Sequence, residues 1–245
     1  MKKSIIAAVT LTILIIPSVL YILFTRGEHN ILNLPYYGPK SVVQTTDAKG
    51  RPKTDTVYHA VPTFSLTNQD GKTYGNANLD GHIYVAYFMN TANADTSKQL
   101  NTLMQEVQKR IKGDYRIKAE EFRILAFTVK PEEDSIPVLK TMSTRLQADT
   151  AMWNFVTGPR ADIYNLAQKG YLLKENEDLS TNTLVTGKAV LVDKERHVRG
   201  IYNATNLADV NKLIDGIKGL FANYRLAKKG SGNDSPKLEQ RRENK

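Results

Sequence analysis

The chain has 245 residues, of which 41% are hydrophobic, and a formal net charge of +9, a size that suits one mid-sized domain with appendages. It contains no cysteine, which excludes disulfides, thiolate metal sites and any peroxidase or disulfide reductase, since both need a thiolate. Part of the positive charge lies in residues 226–245, with six Lys or Arg against three Asp or Glu, and no basic stripe alternates with aromatics elsewhere, so the pattern does not support nucleic-acid binding.

Ser4 to Phe24 (SIIAAVTLTILIIPSVLYILF) carries no charge and is long enough to cross a bilayer core. Lys2 and Lys3 precede it and Arg26 follows, which places the N-terminus in the cytoplasm and the rest outside. The run is long for a signal peptide and no A-x-A site follows it, so residues 1–26 read as an uncleaved single-pass signal anchor. Without cysteine, lipoprotein processing is impossible. Residues 27–60, with "LPYYGPK" at 34–40, read as an extended tether.

The folded domain is expected over residues 61–226. Phe64 and Leu66 alternate with polar neighbours before "NQDGKTYG", a hairpin signal with its turn at Asp70-Gly71. "HIYVAYFM" (82–89) and "FRILAFTV" (122–129) are β-branched and aromatic runs of buried-strand type. Between them, Leu100, Leu103, Met104, Val107 and Ile111 share one face of a helix that Asp95 or Thr96 can cap. "PEEDSIPVLKTMSTRL" starts a helix with acidic residues at its positive end. A short strand in "AMWNFVTG", a helix over 160–169, a hairpin about "DKERH" and an amphipathic helix over 206–226 complete the series. Residues 227–245 read as a disordered basic tail. A parallel βαβ unit followed by an antiparallel hairpin and a helix gives a mixed sheet covered on both faces, the α/β thioredoxin-like layout.

Several segments resemble the SCO/SenC family of membrane-anchored, thioredoxin-fold proteins linked to copper delivery in cytochrome oxidase assembly. "FSLTNQDGKTYGNANLDGHIYVAYF" is similar to the family's opening, "FTVKPEEDSIPVLKTM" to its S-V-D-P-x-x-D-T-P-x-x-L segment, "WNFVTG" to its W-x-x-L-T-G signature and "AVLVDKERHVRGIY" to its late hairpin. The resemblance spans about residues 61–222. It implies a copper site built from a C-x-x-x-C pair after the first core strand and a histidine before the late hairpin. This chain carries Asn93 and Ser97 at the cysteine positions, Val185 or Thr186 at the histidine position, and Lys130 where the family has an Asp. Cu(I) selects thiolate, thioether or imidazole ligands, so an amide and a hydroxyl are poor substitutes. These positions read as a degenerate site with its chemistry removed.

Other chemistry was weighed against structural roles. Asn93, Asp95, Thr96 and Ser97 could bind an anion or a hard cation, but helix capping is the simpler role. Ser97 lacks a base in reach, because His29, His59, His82 and His197 have no triad-like setting. His29 and His59, both placed on or beside the tether, could hold Cu(II) or Zn(II) weakly. Met89, Met104, Met142 and Met152 lie in core-like runs and read as packing, as does Trp153. The resulting expectation is a non-enzymatic SCO-like accessory factor without a cofactor. It would be anchored in the cell membrane with its domain outside the cytoplasm, and would bind an oxidase assembly factor or a copper-binding paralogue. The alternative is a copper chaperone using non-standard His or Met ligands.

Overall fold

The computed structural model describes residues 15–18, 34–46, 50–91, 94–173 and 187–233. The chain divides into two units, 1–33 and 34–245. Of the first unit only residues 15–18 are described, as a helical turn. No helix among the described residues is long and apolar enough to cross a membrane, and most of the apolar run 4–24 lies outside them.

The second unit opens with a two-stranded hairpin, β1 (Lys40–Thr46) and β2 (Pro52–Tyr58). The expected extended tether is therefore replaced over this stretch by paired strands. Thr and Val dominate both arms, and these residues favour extended, laterally paired backbone. Next come β3 (Ser65–Asn68) and β4 (Thr73–Gly75), with Gly71 at φ 73° in the expected turn. The rest runs as α1 (Asn76–Leu79), β5 (Ile83–Met89), α2 (Ala94–Gly113), β6 (Phe122–Thr128), α3 (Ile136–Arg145), β7 (Trp153–Thr157), α4 (Arg160–Asn165), β8 (Lys188–Val192), β9 (Val198–Asn203) and α5 (Leu207–Asn233). After α4 the chain widens into an i+5 turn closed by Tyr171 N–H on Leu166 O at 2.8 Å. Helix α5 continues through Asn233, so residues 227–233 are helical and not tail; residues 234–245 lie outside the described part.

One sheet holds seven strands in the order β4-β3-β7-β6-β5-β8-β9. Strand β5 pairs parallel with β6 and β6 with β7, while β8 joins β5 antiparallel. Every residue of β5 is buried, as expected for a central strand covered on both faces. Alternation along it separates two cores. Ile83, Val85, Tyr87 and Met89 face Leu100, Met104, Val107 and Ile111 of α2 and Leu213, Ile217 and Leu220 of α5. Tyr84, Ala86 and Phe88 meet Phe127, Val156, Ile163 and Tyr171 on the other face, where the Phe88 and Phe127 rings stack at 4.8 Å. The apolar stripe read on α2 thus faces the core, with Leu103 only partly buried. Helix α2 starts at Ala94, so Asp95 and Thr96 fall in its first turn and not at its cap.

Candidate functional site

The C-terminal ends of β5 and β6 are held together by one buried carboxylate. Asp134, fully buried in the loop before α3, accepts hydrogen bonds from the Thr91 hydroxyl, the Thr91 backbone N–H (3.2 Å to Oδ2) and the Thr128 hydroxyl. Its own backbone N–H donates to Lys130 O at 2.9 Å. The acidic stretch "PEEDS" therefore does more than complement a helix dipole. Asp134 ties the segment after β5 to the end of β6, and only Glu132 and Glu133 remain outside. Lys130 forms an exposed ion pair with Glu133 at 3.0 Å.

Ser97 lies one turn into α2 and is 3% exposed, with its Oγ accepting the Asn90 backbone N–H at 3.2 Å. Asn101 sits a further turn along, also 3% exposed. Its Oδ1 accepts from Tyr87 O–H at 2.8 Å, and its Nδ2 faces the sulfurs of Met89 (3.8 Å) and Met142 (3.7 Å). Asn101 was not singled out from the sequence, although its place four residues after Ser97 puts it on the same helix face. A Cβ built on Gly187 would lie 3.9 Å from Thr96 Cγ2, so the segment entering β8 runs beside the first turn of α2. Asn93, Val185 and Thr186 lie outside the described residues, yet their neighbours Thr91, Ala94 and Gly187 converge on this one end of the sheet. A cavity of about 450 Å³ opens elsewhere, between residues 62–66 and α4.

The described histidines do not assemble there. His59 is not on a tether: it directly follows β2, and its Nε2 is 2.8 Å from Gly170 O, which occupies that ring nitrogen. His82 bonds its own loop through Nδ1 to Asp80 O at 2.9 Å. His29 lies outside the described residues.

His197 instead joins a cluster that the sequence reading missed, although the D-x-E-x-H spacing of "VDKERHV" signals it. Ligand-type atoms of Asp193, Glu195 and His197 lie within 4.8 Å of one another. The two carboxylates are committed to protein partners, while His197 Nδ1 is buried without a hydrogen bond, 3.4 Å from Asp193 Oδ2. Asp193 Oδ1 accepts the N–H groups of Glu195 (3.1 Å) and His197 (2.8 Å), Oδ2 accepts from Arg199 Nη1 at 2.9 Å, and Glu195 accepts from the Tyr224 hydroxyl. Burial and the neighbouring Glu195 hold the Tyr224 phenol well above its ordinary pKa. Arg199 also donates to Leu34 O at 2.6 Å and lies 4.0 Å over the Tyr36 ring, which stacks on Tyr58.

The described donor set at the β5–α2 end fits copper poorly. Its described side chains offer hydroxyl, amide and two thioethers, with no thiolate and no imidazole.

The SCO1/SenC family model matches residues 52–222. A SCO1 protein homolog from Bacillus subtilis is 25% identical over 167 residues, spanning 67% of this chain and 84% of the relative. The crystal structure of a SCO1/SenC family lipoprotein from Bacillus anthracis superposes with a TM-score of 0.59 at 25% identity, covering 66% of this chain and 95% of that one. BsSco, described as a member of the Sco family of cytochrome c oxidase assembly proteins and as carrying a disulfide switch, gives a TM-score of 0.57 at 24% identity, over 66% and 94% of the two chains. The fold is accordingly the thioredoxin-like α/β arrangement of these proteins.

Proposed function

This chain belongs to the SCO1/SenC family, and we propose that it is a member without copper or thiol chemistry. It acts as an accessory factor in cytochrome c oxidase assembly by binding a protein partner. In this reading residues 1–26 anchor it to the membrane, the domain stands on the extracytoplasmic side, and anchoring raises its local concentration around membrane-bound partners. The assembly role is drawn from the likeness to BsSco, whose family is described in those terms.

One observation carries the non-catalytic part. Ser97 occupies a cysteine position of the family pattern, yet it is buried and takes the Asn90 N–H. A hydroxyl committed to its own loop neither ligates Cu(I) nor exchanges disulfides. The retained framework around it, with Asp134 clamping Thr91 to Thr128, supports use of the fold as a docking body.

The test is a Cu(I) and Cu(II) competition titration on the full-length chain in detergent. The comparison is the variant Asn93→Cys, Ser97→Cys, Val185→His, with Thr186→His as the second choice for the imidazole. The natural chain is expected to show no tight copper and the triple variant to gain it. Tight binding by the natural chain overturns the proposal. In that event the alternative, a chaperone with non-standard ligands, draws on Met89 and Met142, whose sulfurs both lie beside Asn101. Replacing both with leucine should then abolish binding.

A further inference from the structure

Between α2 and α3, directly over Ser97, lies a cavity of about 410 Å³ whose polar lining is Asn90, Thr91, Ser97, Lys98, Asn101 and Arg145, with Thr102 at its rim. A second hollow of about 310 Å³ adjoins it and shares Thr91 and Arg145. Neither lining contains Asp or Glu. Asp134 is saturated by Thr91 and Thr128. Asp95, the other nearby carboxylate, lines a neighbouring hollow together with Lys98 and makes no ion pair with it. Lys98 and Arg145 have no ion-pair partner among the described residues.

Two of the buried groups, Ser97 and Asn101, have donors to offer. Ser97 Oγ already accepts from Asn90, so what it has left to give is its proton. Asn101 Oδ1 is used by Tyr87, and its Nδ2 faces only thioethers, which are weak acceptors. The cavity therefore presents two cations and no carboxylate, with the Ser97 hydroxyl and the Asn101 amide as buried donors, beside an apolar strip of Met142 and Leu146. Such a set recognises negatively charged oxygen. The volume falls in the range of small-molecule sites and exceeds what an inorganic ion fills.

We propose that this cavity binds a small organic oxyanion, its charged head between Lys98 and Arg145 and its apolar part on Met142. A carboxylate and a phosphomonoester share that chemistry. The site goes beyond the accessory role and is independent of copper.

The test is a calorimetric and 15N NMR titration of the full-length chain in detergent, at constant ionic strength and with a metal chelator present. The probes are benzoate, phenyl phosphate and, as a small-ion control, inorganic phosphate. Saturable binding is expected for at least one organic probe, with shifts confined to the amides of Asn90, Thr91, Ser97 and Asn101. Preference between benzoate and phenyl phosphate identifies the natural head group. Lys98→Gln and Arg145→Gln should each weaken binding about 10-fold, the loss of one charge-assisted contact. Both side chains are exposed, so neither variant should alter the unliganded melting temperature. No saturable response up to about 10 mM, tighter binding of inorganic phosphate than of either organic probe, or undiminished binding in the Lys98→Gln/Arg145→Gln double variant overturns the proposal.

Discussion

Thr91 and Asp134 meet through two contacts, the threonine backbone N–H and its hydroxyl both donating to one fully buried carboxyl group. The pair joins the segment leaving β5 to the segment leaving β6. Removing the acceptor strands three donors, two on the half-buried Thr91 and one on the fully buried Thr128. Asp134→Ala should cost about 3 kcal/mol of unfolding free energy in urea. Hydrogen exchange should accelerate first at Asn90 and Thr91. A loss below 1 kcal/mol would mean that the loop is held by other contacts.

Arg199 is the second prediction. It neutralises the buried Asp193 and holds Leu34 O, Pro35 O and the Tyr36 ring. Arg199→Ala leaves Asp193 buried and uncompensated, and should cost about 3 kcal/mol. It should also release residues 34–37 to limited proteolysis. Arg199→Lys keeps the charge and loses the fork and the stacking, so it should restore stability only in part.

Acid sensitivity should have an identifiable source at the C-terminal end of α2. Hydrogen bonding from Arg116, joined by Lys218 of α5, holds the Asp114 carboxyl well below the usual carboxylate range. A depressed folded-state pKa contributes stability that is present above the unfolded value, near 4 by the ordinary aspartate reference, and is lost as pH falls below it. The melting temperature of Asp114→Asn should lie about 2–4 °C below that of the natural chain at pH 7, and the two should converge on acidification below about pH 4. Curves that stay parallel down to pH 2 would rule out this carboxylate as the source.

Two glycines should respond oppositely to alanine. A Cβ at Gly75 would lie 2.2 Å from the Phe64 carbonyl oxygen, a backbone atom that cannot step aside, whereas Gly113 meets nothing within 4 Å. Gly75→Ala should cost about 2 kcal/mol, and Gly113→Ala, at the end of α2, should be neutral or stabilising by up to about 1 kcal/mol. Thermal melts of the two variants check both directions.

The sequence revealed most where burial is complete. The unbroken apolar runs of β5 and β6 and the spaced apolar residues of α2 and α5 report their cores directly, because period and composition agree there. The β1–β2 hairpin was misread as tether because its strands are almost wholly exposed. No apolar alternation marks it, and only its Val and Thr content hints at pairing. Asp134 was hidden for another reason: an acid before a helix has the same sequence appearance whether it faces water or closes a buried threonine pair. His59 could not be placed from sequence, since its partner Gly170 is more than a hundred residues away. Asn101 carries no motif signal of its own, and only the helical spacing from Ser97 places it at the site.

The sheet order also has a consequence for how the chain is made. Strand β5 is buried along its whole length, but its second edge is covered only by β8, which emerges from the ribosome about a hundred residues later, several seconds at usual elongation rates. In that interval β5 and β6 can pair, while a long apolar strand edge waits open to other extended chains. Completion of the fold therefore depends on its last quarter. A truncated product ending before residue 188 should accumulate as aggregate and not as a smaller domain.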